Sequence, residues 1–145
     1  MFNNKINLIV VIPLKNIAHT KSRLRKILSL SERKLLTNYL LFKLIEKIQI
    51  IKKSLSEINI DLAITTSNKL SFESLKIQNI FIISDKGTKS LSSALNNSAV
   101  WASKKNYNVL CIFPSDLQNP KIKDLKNFLS PPYIKNEMRI CPSTD

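Results

Sequence analysis

The chain has 145 residues, 43% hydrophobic and 23% charged, and its 23 Lys and Arg against 10 Asp and Glu give a net charge of +13. That length suits one compact domain with a single core, and a content of one Gly and six Pro excludes collagen-like and linker compositions. No apolar run reaches the roughly 18–20 residues of a membrane helix, and the opening Met1-Phe2-Asn3-Asn4-Lys5 lacks the apolar segment of a signal peptide, so a cytoplasmic domain over 1–145 is expected.

Leu8, Ile9, Val10, Val11 and Ile12 form an unbroken apolar run closed by Pro13. Continuous rather than alternating hydrophobicity predicts a strand buried on both faces, as in a parallel sheet. A polar, basic loop follows, and then Ser29 and Glu32 stand at capping-box spacing. They open a predicted helix to about Ile51, with Leu35, Leu36, Tyr39, Phe42, Ile45 and Ile48 as its apolar face. A second strand is expected over 58–65, a helical turn over 72–75 and a third strand over 80–83. Ser90 caps a second helix carrying Leu91, Leu95, Ala99 and Ala102. A fourth buried strand over 109–113 ends at Pro114-Ser115-Asp116, a short helix covers about 122–128, and a last strand lies near 138–141. This alternation predicts an α/β fold of three layers, Rossmann-like, with a mostly parallel sheet.

A pI near 9.9 is a common footprint of nucleic-acid binding. Here the charge comes from 19 Lys and only 4 Arg, beside 20 Ile and 15 Asn, all but Arg favoured by AT-rich codons. The lysines are scattered rather than striped and few aromatics accompany them, so nucleic acid is not the expected partner. Cys111 and Cys141 sit in apolar runs without CxxC spacing and the chain has one His, which leaves buried reduced thiols rather than zinc ligands or a Cys/His pair.

In parallel α/β sheets ligands bind outside the carboxyl ends of the strands. The loop after the first strand carries Lys15, His19, Lys21, Arg23 and Arg25, a set that suits either a polyphosphate cradle or a solvated basic surface. It has no Gly and is neither a Walker loop nor a dinucleotide fingerprint. Asp116, just past an apolar strand, is placed to hold Mg²⁺ or to cap the following turn. Asp61, Asp85 and Asp124 are the weaker candidates.

The segment Ile12-Pro13-Leu14-Lys15-Asn16-Ile17-Ala18-His19-Thr20-Lys21-Ser22-Arg23-Leu24, followed by Leu28-Ser29-Leu30-Ser31-Glu32-Arg33, resembles the amino-terminal motif of the 2-phospho-L-lactate guanylyltransferase family. That family includes the phosphoenolpyruvate guanylyltransferases of deazaflavin coenzyme biosynthesis. Its opening is similar: a strand, a P-x-K step, A-x-x-K-[ST]-R-L, then L-S-x-x-E-R on the first helix. Downstream, Leu91-Ser92-Ser93-Ala94-Leu95 resembles its G-L-N-x-A-L helix start, and Phe113-Pro114-Ser115-Asp116-Leu117 its P-x-D-L-P step. Ser92 stands where the family has Asn, and the family's G-G-T-N segment would lie beyond Asp145.

The resemblance implies a nucleotidyltransferase of the glycosyltransferase-A-like type, in one domain without the family's C-terminal segment. Its reaction would join GTP to a small phosphorylated three-carbon acid, with Mg²⁺ as cofactor. Lys15, Lys21 and Arg23 would bind phosphates, Ser67 and Ser92 would contact base or ribose, and Asp116 would be the metal ligand. A chain that binds nucleotide or a partner without turnover is the alternative from another class. An exposed edge strand would also let the sheet pair with a second copy, as a homodimer.

Overall fold

The computed structural model describes residues 5–14, 22–67, 79–85 and 89–140. Four strands, β1 (Ile6–Pro13), β2 (Ile58–Thr66), β3 (Phe81–Ser84) and β4 (Val109–Ile112), form one parallel sheet in the order β3-β2-β1-β4. Central β1 pairs with β2 over eight residues, Ile6 beside Ile58 through Pro13 beside Thr65, and with β4 from Leu8 beside Val109 to Val11 beside Ile112. Its residues 8–12 are at most 1% exposed, as an apolar run flanked by strands and covered on both faces must be.

Helices α1 (Leu30–Ser54) and α3 (Ile122–Leu129) cover one face, and α2 (Leu91–Lys104) covers the other. Side chains alternate across a strand, so Leu8, Val10, Ile12, Ile60, Leu62 and Ile64 meet Leu41, Leu44, Ile45, Ile48 and Leu129 in the larger core. Ile9, Val11, Ala63 and Ile83 meet Ala102 in the smaller one, rimmed by Trp101 and Tyr107. The α2 stripe toward the sheet is small, with Ala94, Ser98 and Ala102 all buried, which lets the helix lie close. Ser98 avoids an unmet hydroxyl by donating to the Ala94 carbonyl at 2.9 Å.

Both predicted helix starts form complete capping boxes: Ser29 with Glu32, and Ser90 with Ser93. With so little Gly, the left-handed turn positions fall to asparagine: Asn79, Asn106, Asn119 and Asn136 all have φ between 41° and 63°. Asparagine tolerates that region better than other residues carrying a Cβ.

Two expectations change. The first concerns α1, whose buried stripe runs through Arg33, Thr37, Leu41, Leu44, Ile48 and Ile51, so its first turns face the fold with polar residues. The expected face positions Leu35, Tyr39 and Phe42 are instead 70%, 59% and 42% exposed, while Ile45 and Ile48 are buried. The second concerns 138–140, which form no strand. Arg139 donates to the Ser130 carbonyl at 2.6 Å and to the Pro132 carbonyl, and stands over the Tyr133 ring; the segment is tied to the end of α3, with Met138 81% exposed. Cys141 and the turn expected over 72–75 lie outside the described residues.

Candidate functional site

Strand order turns the chain one way from β1 to β2 to β3 and then back across to β4. Where the order reverses, between β1 and β4, the carboxyl edge carries the connections from β1 to α1 and from β4 to α3, both leading to the same face, and open α/β sheets bind ligands outside this edge. That edge is held in register by backbone bonds: Leu14 N–H to the Thr65 carbonyl at 2.9 Å, Asp85 N–H to Thr66 at 3.2 Å, and Phe113 N–H to Val11 at 3.1 Å.

Arg23, Ser67, Ser92 and Asp116 each lie on a segment leaving this edge. Arg23 is exposed on a 3-10 turn, Ser22–Leu24, in the connection from β1 to α1. Ser67 is exposed directly after β2. Ser92 is exposed in the first turn of α2, one residue before the Ser93 hydroxyl that the capping box engages. Asp116 is exposed in a turn four residues past β4, with buried Phe113 before it and half-buried Leu117 after it. Lys15 and Lys21 lie outside the described residues.

Sequence reading passed over the polar residues behind this edge. Arg33 and Thr37, 7% and 4% exposed, carry the buried stripe of α1 into its first turns, and Thr37 Oγ1 donates to the Arg33 carbonyl at 2.9 Å. The sequence signal for Arg33 is a cation at i−4 from a hydroxyl, on a helix whose other stripe members are apolar. Thr65 Oγ1, on a residue 1% exposed, has no hydrogen-bond partner among the described residues.

Of the weaker acidic candidates, Asp85 lies on this edge directly after β3, whereas Asp61 lies within β2 and Asp124 within α3. Asp61 sits mid-strand in β2, where it accepts from Tyr107 Oη at 2.8 Å and pairs with Lys52 at 3.4 Å. Burial, with Asp61 as acceptor, raises the Tyr107 hydroxyl well above its usual range. Asp124 belongs to the first turn of α3, where a negative charge suits the helix dipole.

Burial alone pushes the Cys111 thiol up to about 12, so it stays protonated and is no nucleophile at neutral pH. This has a stability consequence. Unfolded Cys ionises above its ordinary value near 9 while the folded thiol holds its proton up to about 12, so the folded state binds more protons in that window. Stability is therefore expected to fall as pH rises from about 9 to about 12, and a Cys111→Ala variant should show a shallower loss in urea melts across that range. With Cys141 replaced by Ser, a thiol reagent at pH 8 should leave the native chain unmodified and react on unfolding.

Among the described residues no group of three or more His, Cys, Asp or Glu could hold a metal ion by itself. A single exposed carboxylate at this edge still fits magnesium, which takes one or two carboxylates and completes its shell with phosphate oxygens and water. Any metal held there would take its remaining ligands from substrate and water.

Among solved structures, the chain is similar to a crystal structure from Desulfovibrio desulfuricans G20 described as a nucleotide-diphospho-sugar transferase, with a TM-score of 0.58 and 16% identity. The match covers 84% of this chain and 52% of that one, so the chain spans about half the length of that protein. At this identity the likeness concerns the fold, and it bears out the Rossmann-like nucleotidyltransferase architecture expected from the sequence. Among curated proteins nothing matches. The sequence itself matches, over residues 8–144, the family described as guanylyl transferase CofC-like. That stretch begins inside β1, takes in the connections that follow β1 and β4 and runs past α3, and by it the chain belongs to the guanylyl transferase CofC-like family.

Proposed function

We infer that the chain carries the nucleotide site of a guanylyltransferase that moves GMP from GTP to a small phosphorylated three-carbon acid, 2-phospholactate or phosphoenolpyruvate, in deazaflavin coenzyme biosynthesis. The observation that carries this reading is the placement of Arg23 and Asp116 on the connections that leave the adjacent strands β1 and β4 at the carboxyl edge. A cation and a carboxylate on neighbouring connections suit a metal-nucleotide complex, one binding phosphate and the other the metal.

In that reaction a phosphate oxygen of the acid forms a bond to the α-phosphorus of GTP as the bond to the β-phosphate bridging oxygen breaks, and pyrophosphate leaves. Both reactants are anions, so the first task of the residues is to bring like charges together. Lys15, Lys21 and Arg23 bind phosphates as charge-assisted donors, within a chain whose net charge of +13 draws polyanions toward it. Ser67 and Ser92 offer hydroxyls to base or ribose from the ends of β2 and α2. Asp116 would hold Mg²⁺, which would supply charge neutralisation for the nucleotide phosphates. No general base is needed, because the attacking phosphate is already an oxyanion. This agrees with the protonated Cys111 and with an Asp61 engaged elsewhere.

The same reading places the reaction in the cytoplasm; no described helix is long and apolar enough to cross a membrane. The outer edge of β4, paired only on its β1 side among the described residues, is where a second copy would dock as a homodimer. Nucleic acid is not the partner on this reading.

Pyrophosphate release with GTP, Mg²⁺ and each of 2-phospholactate, phosphoenolpyruvate and 3-phosphoglycerate tests the proposal. Release dependent on one acid is the expected result. GTP binding without release from any of the three would replace the enzyme with a nucleotide-binding unit, and absence of GTP binding would overturn both.

A further inference from the structure

The loop that bears Asp116 runs from β4 to α3, over 113–121, and is fixed at three points. At its entry Phe113 is 6% exposed and bonded to β1 through the Val11 carbonyl. In the middle Leu117 packs against the larger core. At its exit the anchor is a charged side chain from another element. Lys47, half-buried on α1, donates from one ammonium to Asn119 Oδ1 at 2.8 Å and to the Pro120 carbonyl at 2.7 Å.

This use of a lysine differs from that of its neighbours on the helix. Lys43 and Lys52 pair with carboxylates three and nine positions away, whereas Lys47 spans 72 and 73 positions to two neutral acceptors. Both acceptors belong to one turn, where Asn119 takes the left-handed conformation at φ 41° and turns the chain toward α3. An ammonium with two converging neutral acceptors fixes the spacing between the α1 backbone and that turn. Asp116 lies between this clamp and the Phe113 anchor, so its freedom to wander is limited from both sides.

We propose that Lys47 is a positioning residue: by bonding Asn119 and Pro120 it fixes the loop that presents Asp116 to a metal-nucleotide complex, and so sets the metal requirement of the site. This rests on the reading of Asp116 as the metal ligand. Groups that orient a ligand-bearing element act on metal affinity without touching the ion.

Lys47→Met keeps the aliphatic stem and removes the donors, and Asn119→Gly removes one acceptor while accepting the positive φ. In hydrogen exchange of the nucleotide-free chain, Lys47→Met is expected to speed exchange of the 116–119 amides about tenfold with the β1 and β2 amides unchanged. The Mg²⁺ concentration that half-saturates GTP binding should rise about tenfold, with binding recovered at high Mg²⁺. Lys47→Arg, able to donate to both acceptors, should restore both values. Lys47→Met with Asn119→Gly should be less than additive, since the two changes break one contact. Unchanged loop exchange and Mg²⁺ requirement in Lys47→Met, in a wild type that binds Mg²⁺-GTP, overturns the clamp and leaves Asp116 standing. Equal acceleration over the whole sheet assigns Lys47 to general stability and also overturns it. If Asp116→Asn leaves the Mg²⁺ requirement of GTP binding unchanged, the metal-ligand reading fails first, and the role of Lys47 falls with it.

Discussion

Asp116→Asn is expected to lower kcat/KM for pyrophosphate release by about 10³-fold, near 4 kcal/mol of transition-state stabilisation. The side chain is exposed and outside both cores, and the loop around it is anchored through Phe113 and Leu117. Asn keeps the size of the side chain and removes the charge, so thermal unfolding should stay within about 2 °C of wild type, as for a surface change of under ~0.5 kcal/mol. On the proposed reading, GTP affinity at saturating Mg²⁺ should fall far less than turnover, because the cations assigned to the phosphates are unchanged. A variant with near wild-type rate would remove Asp116 from the site. A variant that unfolds early would show that the carboxylate holds the turn instead, a role asparagine fills at many turns.

The second large effect concerns stability. Ile48→Ala empties a position at 0% exposure where α1 meets the sheet, and should cost about 3 kcal/mol, within the 2–5 kcal/mol seen for such truncations, and roughly 10 °C in Tm at this size. Leu35→Ala, at a residue 70% exposed, should cost no more than about 0.5 kcal/mol. Urea melts of the two variants compare them directly. The apolar spacing read from the sequence assigns Leu35 and Ile48 to one face and predicts similar losses; the structure separates them, and equal losses would contradict it.

That contrast shows where the sequence is readable. The β1 run needed only its own five residues, because a strand between two strands and under helices on both sides has to be apolar throughout. The capping boxes at Ser29 and Ser90 were legible for the same reason: both partners lie within four residues. The phase of α1 was not, since its buried stripe begins with Arg33 and Thr37 and a search for apolar periodicity steps past them onto Leu35 and Tyr39. The final strand was misjudged because Arg-to-carbonyl bonds, which leave no periodic trace, hold Arg139 against the end of α3. Of the candidate site, strand order alone puts Asp116 and Arg23 on connections leaving the carboxyl edge. Lys47 could not, because nothing within reach of residue 47 along the chain announces a bond to residue 119.

The parallel sheet also dictates when its middle can be sheltered. No pair of neighbouring strands is joined by a tight hairpin; β1 meets β2 across 52 positions and β4 across 101. A ribosome adding ~5–20 residues per second leaves a delay of about 5–20 s between the emergence of β1 and that of its second neighbour. Through that interval Leu8-Ile9-Val10-Val11-Ile12, the most adhesive stretch of the protein, is synthesised but incompletely flanked. Yield in the cell is therefore expected to track holdase availability and translation speed more closely than the final stability of the fold.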